Sequence, residues 1–155
     1  YAILFRPTLP QMHAWRCCIL KIFGSRIGTH CHVYNDVDIW APWNLTMADY
    51  SCLGRRVTCY SIAPIYIGAR TIISQGAHLC TGSHDYRLLS FPLVAKSITI
   101  ESDCWVCAEA FISPGVTIGQ GTVIGARSVV TRNQPEWSIC VGNPCQAIKT
   151  RCKPS

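Results

Sequence analysis

Five histidines occur in the 155-residue chain, and one of them, His84, lies in the run Thr81-Gly82-Ser83-His84-Asp85. A neutral imidazole titrates near pH 7, which suits it to act as a general base toward a hydroxyl. Asp85 and Glu109 are the carboxylates available to orient it, although adjacent residues on an extended chain point apart, which counts against Asp85. His30 and His32 flank Cys31 near Asp36 and Asp38 and superficially resemble a metal cluster. With Cys31 facing inward, they read instead as solvated turn residues. Cys104 and Cys107 form a C-x2-C pair without a second pair at matching spacing, so a structural role is expected and no metal. Gly119, Gly121 and Gly125 lack the Gly-Lys-Ser/Thr ending of a phosphate loop, and no G-x-S-x-G nucleophile elbow is present.

What must position these residues is a period of six. Ile100, Val106, Ile112, Ile118, Ile124 and Val130 share one register, and Cys104, Ala110, Val116, Thr122 and Ser128, four residues after the first five, are small or β-branched. The spacing recurs upstream in Ile27, Val33, Ile39 and Leu45, in Leu53, Cys59 and Ile65, and in Ile67, Ile73 and Leu79. Neither a helix nor a simple alternating strand produces this period. Short strands, each sending one large aliphatic side chain to a common axis and then turning, do so. Three strands make a coil of about 18 residues, and stacked coils pair as parallel strands about 4.8 Å apart. The expectation is an all-β solenoid of triangular section, with Cys31 and Cys104 in inward small slots and Cys59 in an aliphatic one.

The chain divides on this reading into an N-terminal capping segment over 1–26, the repeat over 27–135 with an excursion at 80–99, and a C-terminal turn and tail over 136–155. Loops thrown out from a rigid scaffold are where chemistry concentrates, which places His84, at the start of the excursion, ahead of the other histidines. Gln11 to Phe23 predicts a short amphipathic helix presenting Met12, Trp15, Ile19, Ile22 and Phe23 to the first coil, a cap rather than a membrane anchor. The repeat ends at Gln134-Pro135, and the Gly142-Asn143-Pro144 turn leads into a short helix from Cys145.

Charged residues are only 14% of the chain, against about 25% in an ordinary soluble domain. Coil faces pressed against neighbouring subunits would account for the deficit. The net charge is +6, with ten arginines among the 14 cations, which suits phosphate-bearing partners. No basic run is interleaved with aromatics, so nucleic acid is not an expected partner. No segment reaches the ~18 apolar residues of a membrane span, so membrane contact is at most peripheral. Eleven cysteines are an odd number, and no secretory signal precedes them; reduced thiols and a cytoplasmic chain are expected. The chain opens on Tyr1 rather than Met, as a fragment or processed form does.

The hexapeptide frames, the TGSHD excursion, DCWVCAEAFISPGVTIGQGTVIGARSVVT and VGNPCQAIKTR together resemble the hexapeptide-repeat acyltransferases, in their sugar and xenobiotic O-acetyltransferase branch. LFRP, IWAPWNLTMADYSCLG, SHDY, AEAF and GNP are similar to the colanic-acid (exopolysaccharide) biosynthesis acetyltransferases within it. The resemblance implies a left-handed parallel β-helix, an exception to the right-handed crossover rule, built into a homotrimer with sites between subunits. It implies acetyl-CoA as co-substrate and direct attack by an acceptor hydroxyl of a sugar, with His84 matching the base. Trp105 matches the tryptophan beside the thioester, and the Ala108 N–H a donor to it. Ala126 and Thr131 fall on the pantetheine groove, and Arg132, Lys149 and Arg151 near the CoA phosphates. Where sugar acetyltransferases of this type often carry an acceptor-binding Asn, this chain has Leu53-Gly54-Arg55-Arg56, so the acceptor does not carry over. A non-catalytic β-helix scaffold, or a zinc-dependent hydratase on the same fold, remain as alternatives.

Overall fold

Short strands alternate with turns and stack into three parallel faces in the computed structural model, which describes residues 2–153. Face I takes Arg26–Ile27, Leu45–Met47, Ile65–Ile67, Ile98–Ile100 and Thr117–Ile118. Face II takes His32–Val33, Cys52–Leu53, Ile72–Ile73, Trp105–Val106 and Val123–Ile124, then Ser138–Gly142 and Cys145–Thr150. Face III takes Asp38–Ile39, Thr58–Tyr60, His78–Cys80, Phe111–Ile112 and Val129–Val130. The chain visits the faces in that order, coil after coil, as a left-handed parallel β-helix.

Successive strand residues point to opposite sides, so the residues of each strand that face the axis are buried, two of them in Leu45–Met47, Ile65–Ile67 and Ile98–Ile100. Ile27, Met47, Ile67, Ile100 and Ile118 are in register behind face I. Val33, Leu53, Ile73, Val106 and Ile124 stand behind face II, and Ile39, Cys59, Leu79, Ile112 and Val130 behind face III. All fifteen are buried, and removing a side chain of Leu or Ile size from water stabilises by roughly 1.5–3 kcal/mol. The small slot at the I/II edge holds Cys31, Ser51, Thr71, Cys104 and Thr122, whose hydroxyls and thiols satisfy turn carbonyls that would otherwise be buried unpaired. Ser51 Oγ donates to the Ala48 carbonyl at 2.6 Å, Thr71 Oγ1 to Glu101 at 2.7 Å, Cys104 Sγ to Gly119 at 3.1 Å and Thr122 Oγ1 to Pro135 at 2.5 Å. At Gly68 a Cβ would lie 2.4 Å from the Glu101 carbonyl carbon, so the stacked coils leave room for glycine only.

Three expectations are corrected. The helix, His13–Ile22, does pack on the first coil, but it buries Arg16, Cys17, Ile19 and Leu20 while Met12, Trp15, Ile22 and Phe23 are exposed. The cause is Arg16, fully buried, whose Nε donates to the Val33 carbonyl at 2.6 Å. Its Nη1 donates to Thr8 Oγ1 and the Leu9 carbonyl, and its Nη2 to the Pro10 carbonyl at 2.5 Å. A charge buried this way is tolerable because nearby carbonyls replace its water. Secondly, the solenoid does not stop at Gln134-Pro135. Gln134 bridges Ile118 on face I, and Ile139 and Cys140 pair with Val123 and Ile124 on face II, Cys140 fully buried. The four-residue step from Val130 to Gln134 breaks the period of six and hides this last coil. Thirdly, the residues after Cys145 form a strand, not a helix. Gly142, at φ +104°, turns the chain so that Cys145–Thr150 pairs antiparallel with Ser138–Gly142, its backbone bonded to an existing strand edge.

The eleven cysteines are free thiols, and among the described residues no helix is long and apolar enough to cross a membrane.

Candidate active site

The excursion leaves face III after Cys80 and rejoins face I at Ile98, so it projects from the III/I edge. It is a hairpin, Gly82–His84 against Leu93–Ala95, with His84 opposite Leu93. Thr81 anchors its base: its Oγ1 donates to the Tyr60 carbonyl at 2.7 Å and its carbonyl accepts from Lys96 N at 2.9 Å. At its outer end the Nδ1 of the exposed His84 lies 2.5 Å from the Phe91 carbonyl. A carbonyl oxygen only accepts, so Nδ1 carries the proton and Nε2 presents its lone pair outward. Sequence reasoning missed this partner because a backbone carbonyl leaves no trace in residue type.

Neither carboxylate expected to orient the imidazole does so within the chain. Asp85 is bound to Arg87 through two contacts of 2.8 and 2.7 Å, and this guanidinium holds its carboxyl below the usual range. Glu109 pairs with Arg127 at 2.7 Å on the II/III edge, away from the hairpin.

The other expected site residues are distributed over the prism. Trp105 points outward from face II, 48% exposed, with its Nε1 donating to Ser74 Oγ at 2.9 Å. Ser74, also unforeseen, follows Ile73, whose strand pairs with that of Trp105. Ala108 and Ala126 occupy the II/III edge in consecutive coils, tied by a 2.9 Å bond from Arg127 N to the Ala108 carbonyl. The Ala108 N–H has no acceptor among the described residues, and alanine keeps this edge shallow. Thr131 and Arg132 are exposed at the III/I edge, and Lys149 is exposed on the outermost strand of face II. Arg151 belongs to the I/II edge, where its Nη1 donates to the carbonyls of Asp103 at 2.9 Å and Gly121 at 2.7 Å beside the Trp137 ring. One chain thus brings together Trp105, Ala108 and Ala126 as a shallow strip, and leaves His84 on a different edge.

The remaining histidines stand in ring contacts. His30 stacks on Tyr50 and His32 on His13, at 4.9 and 4.7 Å between ring centroids. His78 lies against Phe111 at 5.3 Å. No group of three or more ligating side chains stands together among the described residues. A cavity of about 610 Å³ between the helix and the first coil is lined by Gln11, His13, Lys21 and His30 among others, and includes neither His84 nor Trp105.

Residues 97–132 match the family described as bacterial transferase hexapeptide (six repeats). The chain is 41% identical over 150 residues to the "Putative colanic acid biosynthesis acetyltransferase WcaF" of Escherichia coli (strain K12), covering 97% of this chain and 82% of that protein. A maltose O-acetyltransferase from Clostridium difficile 630 superposes with a TM-score of 0.88 at 26% identity, covering 98% of this chain and 83% of that one. The hexapeptide-repeat acetyltransferase VCA0836 of Vibrio cholerae O1 biovar eltor, complexed with acetyl coenzyme A, superposes with a TM-score of 0.87 at 25% identity over 98% and 84%. A parallel β-helix interrupted by one histidine-bearing hairpin is the framework of a hexapeptide-repeat acyltransferase. This chain belongs to that family, in the WcaF group of acetyltransferases.

Proposed function

We propose that the chain transfers the acetyl group of acetyl-CoA to a hydroxyl of a sugar or exopolysaccharide precursor, with His84 as general base. The observation that carries this reading is the fixed tautomer of His84: the Phe91 carbonyl holds Nδ1–H and leaves Nε2 free to take the acceptor's hydroxyl proton. The oxygen so released attacks the thioester carbonyl, the C–S bond breaks, and the imidazolium returns the proton to the CoA sulfur. The Ala108 N–H, unengaged and on the shallow strip, steadies charge developing on the carbonyl oxygen. Trp105 flanks the thioester end, and Ala126 leaves room for the pantetheine arm. Arg132 and Lys149 suit the CoA phosphates, and Arg151, with one nitrogen committed to carbonyls, serves there through the rest of its guanidinium.

His84 and Trp105 occupy different sides of the prism, so the site is completed by a second copy, most simply in a closed homotrimer. The hairpin supports this assembly, because it carries Tyr86 at 83% and Leu89 at 98% exposure, apolar surface a lone chain would leave wet. Free thiols in eleven positions fit a reducing, cytoplasmic setting. The test is acceptor-dependent release of CoA thiol across a panel of sugars, with CoA binding followed by calorimetry and mass by light scattering. Absence of CoA binding at millimolar ligand would leave only a scaffold role.

A further inference from the structure

Resting on that reading, the site's acceptor end can be assigned a chemistry. The thioester end is marked by Trp105 and Ala108, and the strip continues toward the later coils through Ala126, so the acceptor stands on the opposite side, toward the earlier coils. One coil in that direction, the surface is hollowed. A cavity of about 320 Å³ is lined by Tyr34, Gly54, Ile72 and Ser74 among others, and it shares Arg55 and Gln75 with a second cavity of about 330 Å³ lined by Arg55, Arg56 and Gln75. Ser74 is the residue that holds the Trp105 indole, so the hollow is contiguous with the proposed thioester position.

The charges there are unbalanced. Asp36 accepts from Arg55 Nε at 3.0 Å and from the Arg56 backbone N–H at 3.2 Å, and Glu109, higher on the same edge, is paired with Arg127 at 2.7 Å, so neither carboxylate engages the Arg56 guanidinium. The Arg56 guanidinium has neither an ion-pair nor a hydrogen-bond partner among the described residues. Arg56 is held at φ +54°, the same left-handed turn that Glu109 and Arg127 adopt above it on the II/III edge, so the repeat geometry fixes where its side chain departs. A planar fork of free donors sharing a cavity with Arg55 and the Gln75 amide suits an oxyanion.

We infer that the acceptor is an anionic saccharide, whose phosphate or carboxylate is taken by Arg56 and the remaining donors of Arg55 while the sugar hydroxyl faces His84. The test measures kcat and KM by CoA thiol release at saturating acetyl-CoA. The acceptors are a neutral hexose, the matching hexuronic acid, the hexose 1-phosphate and a nucleoside diphosphate hexose, assayed with wild type, Arg56→Gln and Arg56→Lys. Expected is a preference of about tenfold or more for an anionic acceptor, expressed in KM, the worth of one charge-assisted hydrogen bond. Arg56→Gln should collapse that ratio and Arg56→Lys should largely retain it. The uronate and phosphate arms tell which anion is read. Equal use of neutral and anionic acceptors, or a ratio that Arg56→Gln leaves untouched, overturns the inference while acetyl transfer stands. Absence of acceptor-dependent thiol release from every member overturns the acetyl-transfer reading itself.

Discussion

Trp105 and Ser74, one coil apart on face II, are joined by an Nε1–H···Oγ hydrogen bond of 2.9 Å. The half-exposed indole is thereby tethered to the neighbouring coil. Ser74→Ala removes that tether without touching the core, and the lost bond is worth about 1 kcal/mol. The expected outcome is a rise of about fivefold in the KM for acetyl-CoA with kcat little changed. An unchanged KM in steady-state assays would show that the tether does not serve the thioester end.

His84→Ala should lower kcat by about 10²–10⁴ while the melting temperature stays near that of wild type, because the residue is exposed and general-base catalysis is worth that much. Asp85→Asn should keep most of the activity, since that carboxylate is engaged by Arg87 and the Phe91 carbonyl sets the tautomer. A loss in Asp85→Asn equal to that in His84→Ala would put the carboxylate on the imidazole in the assembled enzyme.

Arg16→Met removes the donors that bind the carbonyls of Val33, Leu9 and Pro10. Leaving the buried Val33 carbonyl and the part-buried Leu9 and Pro10 carbonyls without this donor costs about 3 kcal/mol in sum. Thermal denaturation should show a melting temperature lower by about 10 °C. A melt within a degree or two of wild type would mean that the helix is held by its apolar contacts alone.

Burial lowers the pKa of His13 and His78 below the ordinary 6.5, and His78 Nε2 is buried with no partner among the described residues. Such groups take up a proton more readily when unfolded, so their stability contribution is intact above pH 6.5 and is lost as pH falls through the folded-state pKa. The melting temperature should therefore drop between about pH 7.5 and about pH 5. His78→Leu should flatten part of that drop and be neutral or stabilising at the higher pH, because it removes a buried unpaired nitrogen. Superimposable pH profiles of the two proteins would contradict the assignment.

Burial pushes the Cys59 thiol up to about 12 and those of Cys17 and Cys104 up to about 11. Thiolate is the reactive form, so an aromatic disulfide reagent near neutral pH should label the exposed Cys18 and Cys152 first. Peptide mass mapping should find Cys59 and Cys104 modified only after unfolding. Early labelling of Cys59 would break the assignment of that thiol to the solenoid axis.

Inward slots of the main register were legible from sequence: every aliphatic from Ile100 to Val130 is buried, and so are Cys104, Ala110, Val116, Thr122 and Ser128, whereas Met47 and Cys140 lie outside that register. They were legible because a period of six has a single geometric solution. The excursion was legible as a failure of that period, and it carries His84. What escaped notice depends on partners that residue type does not announce. Arg16 goes inside because three carbonyls meet it there, reversing the helix face that Trp15 and Ile22 suggest. Cys145–Thr150 becomes a strand because the edge of Ser138–Gly142 is waiting for it. Phe91 acts through a main-chain oxygen and Ser74 through a coil offset, neither of which has a sequence signature.

Parallel strands that end in a bare coil offer a template onto which another chain can add without limit. The antiparallel return of Cys145–Thr150 covers that rim on face II, and Arg151, bonded to Asp103 and Gly121, pins the strand's exit. At the other extremity the helix His13–Ile22 lies across the first coil. Growth along the axis is thus hindered at both ends, which leaves the outer faces and the hairpin as the surfaces through which the proposed homotrimer would close.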